Sequence, residues 1–251
     1  MDRSRAIWTL SFAYVAYLFL GEVPQLSGLS VFSEQDAFGL LVVLYLVSSY
    51  VLWGFSSASK FLVLTWVVSY TVEFIGTKTG YPFGHYAYTS ALGPALGPVP
   101  VFIPFLWCAL GYFCLLATGR SVLSSAILMV LLDVSLDPIF ARELWHWQPT
   151  PGPEYFGVPV LNFLGWFVTS GIIFALFRAV DPQRLGWGLR SLVHGSGSRA
   201  ATVFYFLFGV TTVLFDLSSG MSEAAGISFL LYLAAFGALW WANSASGSMD
   251  F

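Results

Sequence analysis

Long apolar runs alternate with short polar or glycine-rich segments along most of the chain. Several runs approach the roughly 20 residues that a helix needs to cross the hydrocarbon core of a bilayer. The pattern predicts an all-α, polytopic integral membrane helix bundle of about eight transmembrane helices. The eight predicted spans are residues 6–20, 37–55, 60–76, 99–118, 121–140, 159–180, 200–218 and 226–242. The first span is interpreted as a short anchor, because no small-residue cleavage site follows it before Pro24.

Composition agrees with a membrane protein. Of 251 residues, 57% are hydrophobic and 9% are charged, with a mean hydropathy of +0.78, whereas soluble chains carry roughly 25% charged residues. The formal net charge of −3 does not indicate a nucleic-acid partner. Cys108 and Cys114 lie six apart on one predicted helix, so no disulfide framework or metal knuckle is implied. We expect one transmembrane domain, residues 1–251, with a flexible tail at 243–251.

The positions of lysine and arginine orient the predicted bundle. With a cytoplasmic N-terminus, the ten basic residues divide eight to two between the cytoplasmic and the outer side. Cytoplasmic loops carry such an excess of positive charge, so the division predicts this orientation and an even number of spans. The cytoplasmic group is Arg3, Arg5, Lys60, Arg120, Arg178, Arg184, Arg190 and Arg199, and the outer group is Lys78 and Arg142.

Carboxylates inside apolar spans are costly, and they are usually functional or line a cavity. Asp133 and Asp137 are four residues apart, so they share one face of a helix. In the predicted orientation Glu73 and Asp216 also fall toward the outer half, as do the long connections 77–98 and 141–157. The alternative for the pair is a polar helix end at the lipid interface. The simpler interpretation is a site facing the outer leaflet.

A short internal repeat accompanies these carboxylates. Val99-Pro100-Val101 is followed by Trp107, and Val158-Pro159-Val160 is followed by Trp166 at the same spacing. Each segment follows an acidic helix and a long connection, and both run in the same direction. A parallel repeat about the membrane normal is therefore a hypothesis.

Several chemistries fit the residues poorly. A di-iron site needs a cluster of His and Glu ligands, but the histidines are His85, His146 and His194 alone. A retinal protein needs a lysine within a helix, and Lys60 and Lys78 lie at or beyond span ends. No phosphate-binding glycine loop is present, and the basic residues that a prenyltransferase needs for diphosphate lie on the other side. We therefore expect no metal and no cofactor.

The remaining residues suit acid catalysis on an isoprenoid alkene. Protonating such a double bond needs a carboxyl group that keeps its proton near neutral pH, and both desolvation and a neighbouring like charge favour that state. Asp133 and Asp137 would titrate as a coupled pair. Ring faces would stabilise the tertiary cation by about 2 kcal/mol each when desolvated. The candidate rings are Trp145, Trp147, Tyr155 and Trp166, for which interfacial anchoring or packing is the alternative.

Five motifs follow one another between residues 60 and 180. The first runs from Glu73 to Tyr88 and reads EFIGTKTGYPFGHYAY. The later motifs are Asp133-x-x-x-Asp137-Pro138, Trp145-His146-Trp147, Tyr155-Phe156-Gly157-Val158-Pro159 and Asn162-Phe163-Leu164-Gly165-Trp166. In this order they resemble the membrane-bound carotenoid biosynthesis family, whose named members are the CruF-type carotenoid 1,2-hydratases. The first two and last two spans match only as hydrophobic helices.

The resemblance implies addition of water to the terminal double bond of an acyclic carotenoid end (lycopene, γ-carotene or C50 type), without redox cofactor or metal. The implied partners are this carotenoid, water and the lipids of a bacterial or archaeal cytoplasmic membrane. Asp133 or Asp137 is the expected proton donor, and Glu73 is expected to activate or position water. Asn162 would orient that water or cap its own helix, and His85 would relay protons or remain solvated. The expected substrate-binding residues are Tyr81, Phe83, Tyr86, Trp145, Trp147, Tyr155 and Trp166.

Two other functions remain open from the sequence. A carotenoid cyclase or isomerase begins with the same protonation, but a cyclase captures the cation with the substrate's own double bond. A non-enzymatic carotenoid-binding protein needs the cavity but not the acid pair. The carotenoid, the number of ends that react, the role of Asp216 and the oligomeric state are not determined by these patterns.

Overall fold

The computed structural model describes residues 3–22, 34–141, 144–149, 151–181 and 199–245. Within these ranges the chain forms seven α-helices and six strands of two or three residues. The helices are α1 (Arg3–Glu22), α2 (Glu34–Thr79), α3 (Phe102–Ala117), α4 (Val122–Phe140), α5 (Val160–Val180), α6 (Arg199–Ser218) and α7 (Ser222–Ala245). The strands are β1 (Tyr86–Tyr88), β2 (Ala95–Leu96), β3 (Val99–Pro100), β4 (Trp145–Trp147), β5 (Glu154–Tyr155) and β6 (Val158–Pro159). The predicted all-α membrane bundle is confirmed.

The long helix α2 contains two of the predicted spans. Its backbone leaves the helical region at Gly54, with φ 79° and ψ 167°. The rings of Tyr45 and Phe61 have centroids 6.4 Å apart, whereas a straight helix would separate these residues by about 24 Å. Tyr50 and Ser59 also share a hydrogen bond of 3.1 Å. The chain therefore folds back at Gly54, and the two ends of α2 lie at the same end of the bundle.

Five helices in the described ranges, α2, α4, α5, α6 and α7, are long and apolar enough to cross a membrane. Helix α3 is apolar but has 16 residues, and α1 forms at the first predicted span. The eight-crossing count and the cytoplasmic N-terminus remain predictions. The basic segment 182–198 and the tail beyond Ala245 lie outside the described residues.

Two predicted spans begin later than expected. The sequence pattern predicts helix from the first residue of spans 99–118 and 159–180. In the structure Val99 and Pro159 belong to strands, and the helices begin at Phe102 and Val160. A short buried apolar strand cannot be distinguished from a helix start by periodicity alone. Both strand segments, β3 and β6, are buried.

Helix α4 lies at the centre of the bundle and contacts α3, α5, α6 and α7. It begins after the turn at Gly119-Arg120, where both residues have positive φ. The Ser121 side chain caps it by accepting a hydrogen bond from the Ser124 amide at 3.3 Å. Most of its side chains are buried, so any polar residue along it is enclosed by protein.

The short strands organise the two long connections at one end of the bundle. Strand β1 pairs with β4 in antiparallel register, with Tyr86 opposite Trp147 and Tyr88 opposite Trp145. Strands β2–β3 and β5–β6 form two hairpins, each with a two-residue loop. The connections are therefore ordered, and the β1–β4 ladder joins them.

The internal repeat is visible in this arrangement. Each repeat unit consists of an acidic helix, a single strand, a hairpin and a second helix. Equivalent residues have the same separation along the chain, namely Tyr86/Trp145, Tyr88/Trp147, Val99/Val158 and Trp107/Trp166. Exchanging the two units leaves the β1–β4 register unchanged, because Tyr86 opposite Trp147 becomes Trp145 opposite Tyr88. Strands β1 and β4 are therefore related by a local two-fold axis at the Ala87–His146 pair.

Candidate active site

Glu73 lies in the second half of α2, near its end, and its side chain is 5% exposed. Its Oε1 accepts a hydrogen bond of 2.9 Å from Trp107 Nε1 on α3. Its Oε2 accepts hydrogen bonds from Tyr88, at 2.8 Å, and from Tyr86. Alternate residues of a strand share one face, so β1 directs both phenols at the same carboxyl group. Three donors therefore surround Glu73.

A glycine one turn along α2 makes this approach feasible. A Cβ atom at Gly76 would lie 2.9 Å from the Tyr86 hydroxyl and 3.0 Å from the Phe83 ring. Real Cβ contacts are not that short, so the absent side chain lets β1 pack directly on the helix. Burial raises the pKa of both Tyr86 and Tyr88 well above its ordinary value, and the Glu73 carboxyl raises it further. Both phenols therefore remain protonated donors.

Asp133 and Asp137 lie one turn apart on α4, and the side-chain amide of Asn162 donates a hydrogen bond to each of them. The three side chains are 1–2% exposed. The Nδ2 of Asn162 donates to Asp133 Oδ2 at 2.6 Å and to Asp137 Oδ2 at 2.7 Å. Asp137 Oδ1 accepts a further hydrogen bond of 2.6 Å from Trp145 Nε1 on β4. Asn162 does not cap its own helix. Its amide bridges the acid pair instead.

The carboxyl oxygens of these residues differ in their hydrogen bonding. Both oxygens of Glu73 and both of Asp137 accept bonds, and so does Asp133 Oδ2. Within the described residues, Asp133 Oδ1 has no hydrogen-bond donor. It is therefore the oxygen of this group whose hydrogen-bonding capacity is left for a ligand.

All three carboxyl groups line one cavity, here called the acid cavity, with an empty volume of about 650 Å³. Its walls come from α2, α3, α4, α5 and the β1–β4 ladder. The Trp107 and Trp166 rings, which are equivalent in the two repeat units, both line it and stack directly on each other, with centroids 4.2 Å apart and planes 24° apart. The lining residues are Phe38, Glu73, Phe83, Tyr86, Tyr88, Ile103, Leu106, Trp107, Leu110, Asp133, Leu136, Asp137, Phe140, Trp145, Trp147, Asn162 and Trp166.

Most of the residues expected in a site are brought together in this cavity. Of the expected catalytic residues it contains Glu73, Asp133, Asp137 and Asn162, and of the expected aromatic residues it contains Phe83, Tyr86, Trp145, Trp147 and Trp166. Among the described residues, no group of three or more His, Cys, Asp and Glu side chains is arranged to hold a metal ion. The cavity is instead built from carboxyl groups and aromatic rings.

Three expected residues lie elsewhere. His85 is exposed, and its ring packs over Gly80 rather than facing the cavity. Tyr81 is 70% exposed. Tyr155 packs against Phe156 and Phe163. The order of motifs groups these residues with the site, but only alternate strand residues and one helix face point into a cavity.

Sequence reasoning gave two site residues no direct role. Tyr88 appears in the first motif and Trp107 in the internal repeat, and both donate to Glu73. The period of two along β1 would have paired Tyr88 with Tyr86. Asp216 is fully buried in α6 but does not line the acid cavity, so three of the four expected carboxylates converge there.

Sequence comparisons identify the family of the chain. The sequence model described as "Carotenoid biosynthesis protein" matches residues 37–235. The chain is also similar to a bisanhydrobacterioruberin hydratase of Haloarcula japonica, with 32% identity over 129 residues. That alignment covers 46% of this chain and 43% of the relative, so the chain matches less than half of the relative's length. No solved structure matches. Because the family model covers most of the chain, including every lining residue of the acid cavity, the protein belongs to the carotenoid biosynthesis protein family.

Proposed function

We propose that the protein is a carotenoid hydratase that adds water to the terminal double bond of an acyclic carotenoid end. The observation that carries the proposal is the acid pair, in which Asn162 bridges two buried carboxyl groups and leaves Asp133 Oδ1 open to an aromatic cavity. Family membership and the relative named as a hydratase support the same activity.

Asp133 is the proposed general acid. Two carboxylates beside one amide in an apolar bundle repel each other strongly if both are charged, so the pair holds a proton between them. The O–H bond at Asp133 Oδ1 breaks as a C–H bond forms at the less substituted carbon of the terminal alkene. The alkene π electrons form that bond, and the other carbon becomes a tertiary cation. Asn162 and Trp145 orient the pair through their hydrogen bonds.

Glu73 is the proposed acceptor for the water proton. Three hydrogen-bond donors hold its carboxyl group on the same cavity as the acid pair, and such donors favour the charged form of a proton acceptor. A water oxygen forms a C–O bond to the cation and loses one proton to Glu73. Exchange with solvent then returns the carboxyl groups to their starting state. The net change is addition of one water without electron transfer.

Aromatic rings protect the cation until water arrives. The faces of indole and phenol rings attract cations, by about 2 kcal/mol in a desolvated site. Trp107, Trp166, Trp145 and Tyr86 line the acid cavity beside the carboxyl groups. We expect them to slow the loss of a proton that would regenerate the alkene.

Expression in a lycopene-producing host tests the activity. Hydration gives a tertiary alcohol that is heavier than lycopene by one water, and growth in heavy-oxygen water should place the label in that alcohol. Wild-type protein should give this product, and Asp133→Asn should not. A product isomeric with lycopene would indicate a cyclase or isomerase, and bound but unchanged pigment would indicate a binding protein.

We further propose that the acid cavity lies in the outer half of the membrane. The eight-to-two division of basic residues supports this orientation. Ser90, beside β1, and Ser56, at the fold-back of α2, are both exposed, and Cys108 and Cys114 are buried. Ser90→Cys should react with a membrane-impermeant thiol reagent in intact cells, and Ser56→Cys only after lysis. The reverse labelling pattern would place the acid cavity in the cytoplasmic half of the membrane.

A further inference from the structure

A second cavity adjoins the acid cavity. It lies between α1, α2, α4 and α6 and has an empty volume of about 420 Å³. Phe38, Leu136 and Phe140 belong to the walls of both cavities. The two spaces are therefore adjacent and separated by these three side chains.

The walls of the second cavity offer hydrocarbon and ring surfaces. Its three polar side chains donate to carbonyl groups of the protein: Tyr14 to Ala37 at 3.1 Å, Thr211 to Phe208 at 2.6 Å and Thr212 to Gly209 at 2.7 Å. The remaining lining residues are apolar. A ligand that fits this surface needs no hydrogen bonds of its own.

Aromatic rings connect the two cavities. Phe140 packs against Trp145 on the acid side, with ring centroids 6.2 Å apart, and against Phe215 on the other side, at 5.9 Å. Phe38 meets the edge of Phe140 at 4.9 Å. Trp145 also donates to Asp137. A row of rings therefore leads from the acid pair into the second cavity.

We propose that the second cavity, hereafter the chain cavity, binds the polyene chain of the substrate while the terminal double bond lies at Asp133. This inference rests on the proposed hydratase function. A conjugated carotenoid chain is stiff and far longer than the acid cavity, so it must leave through a wall that can admit hydrocarbon. The shared wall of Phe38, Leu136 and Phe140 provides that passage.

Helix α1 then selects the chain that fits. Tyr14 and Leu18 of α1 line the chain cavity, and the family match begins at residue 37, after α1 has ended. The acid cavity lies within the family match, whereas this wall lies outside it. Leu18 and Tyr14 therefore determine the specificity for the chain rather than the chemistry at its end.

The test compares Leu18→Trp with Leu20→Trp. Leu18 faces the chain cavity, whereas Leu20 is 56% exposed on the same helix. Each purified variant is assayed with lycopene and with myrcene, a short acyclic terpene with the same isopropylidene end. Leu18→Trp should raise the KM for lycopene about tenfold, because the indole ring fills space that the polyene would occupy and the polyene loses several apolar contacts with the cavity wall. It should leave myrcene turnover within about twofold, and Leu20→Trp should change neither.

A binding measurement separates this inference from the hydratase proposal. In the Asp133→Asn background, the amount of lycopene that co-purifies should fall about tenfold with Leu18→Trp and stay unchanged with Leu20→Trp. Thr211→Leu, which narrows the cavity from α6, should act like Leu18→Trp. Equal lycopene retention in all these variants would overturn the chain cavity even if hydration is confirmed. Selective loss of retention would uphold it even if hydration fails.

Discussion

The two repeat units use one scaffold to hold carboxyl groups in different ways. In the first unit, Glu73 accepts hydrogen bonds from Tyr86, Tyr88 and Trp107. In the second unit, Asp133 and Asp137 share the amide of Asn162, and Trp145 donates to Asp137. Tyr86 and Trp145 are equivalent strand residues, and each donates to a carboxyl group of its own unit. The scaffold thus supplies a donor to each unit, while the remaining partners differ.

Two differences in sequence between the units explain why their carboxyl groups have different hydrogen-bond partners. The first unit contributes one carboxyl group to the acid cavity, whereas the second contributes two, one turn apart. The residue equivalent to Asn162 is Ile103, which lines the same cavity but cannot donate. In the proposed mechanism, the first unit therefore provides the carboxyl group that accepts a proton, and the second provides the pair that donates one. Repetition of a fold does not require repetition of its chemistry.

The largest effect should follow from removing the donor. Asp133→Asn keeps the size of the side chain and removes its acidic proton, so turnover should fall by about 10³-fold or more. The matched control is Asp216→Asn, which changes a fully buried aspartate outside the acid cavity and should keep turnover within a few-fold. Alcohol formation in lycopene-loaded membranes measures both. Comparable losses in the two variants would mean that the effect comes from burial of aspartate and not from the acid cavity.

The bridge between the two carboxyl groups should be next in importance. Asn162→Ile removes the amide that holds them together, and turnover should fall about 10²-fold because the donor loses its position. The equivalent change in the other unit, Ile103→Asn, leaves the Asn162 bridge in place and should reduce turnover only a few-fold. The pH profile of alcohol formation should change for Asn162→Ile alone. An unchanged pH profile in Asn162→Ile would mean that Asn162 contributes to packing and not to the protonation of the acid pair.

A smaller loss is expected in the first unit. Glu73→Gln removes the acceptor of the water proton but leaves the acid pair intact, so turnover should fall about tenfold. Tyr88→Phe removes one of three donors to Glu73 and should cost a few-fold. Because both changes act through the same carboxyl group, the double variant should resemble Glu73→Gln alone. If the turnover losses of the two single variants multiply in the double variant, Tyr88 acts on turnover independently of Glu73.

The smallest effect concerns the packing of the first connection on the second unit. A Cβ atom at Gly165 would lie 2.6 Å from the Phe83 ring and 2.8 Å from the Pro82 carbonyl oxygen, whereas Gly171 on the same helix has no such neighbour. Gly165→Ala should destabilise the protein by about 1–3 kcal/mol, measured as a lower thermal midpoint in detergent. Gly171→Ala should not lower it. If Gly165→Ala has the same thermal midpoint as the unchanged protein, the connection that contains Pro82 and Phe83 moves away from the new methyl group without loss of stability.

The helices and the acid pair follow from the sequence because their signals are local. Asp133 and Asp137 are four apart on a long apolar run, and that spacing alone places them on one face. The strand pairs do not follow, since β2, β3, β5 and β6 have two residues each, too few for a periodic signal. His85 was grouped with the site by its motif, but the strand directs Tyr86 and Tyr88 inward instead.

Contacts between distant helices were also beyond local patterns. The sequence left Asn162 either to cap its helix or to orient water, but its amide reaches two aspartates on α4. Phe38 lines the acid cavity only because α2 folds back at Gly54 and returns its two ends to one side. Such proximity depends on how the helices pack, which composition and spacing do not encode directly.

The symmetric register of the β1–β4 ladder has an evolutionary consequence. A strand pair that is unchanged when its partners exchange is the pattern of an isologous contact between two identical polypeptides. In such a dimer, any substitution in one copy also appears in the other, so both carboxyl sites stay alike. Joining the two units in one gene removes that constraint. One unit can then become an acceptor while the other becomes a donor, as the proposed addition of a proton and of water to a single double bond requires.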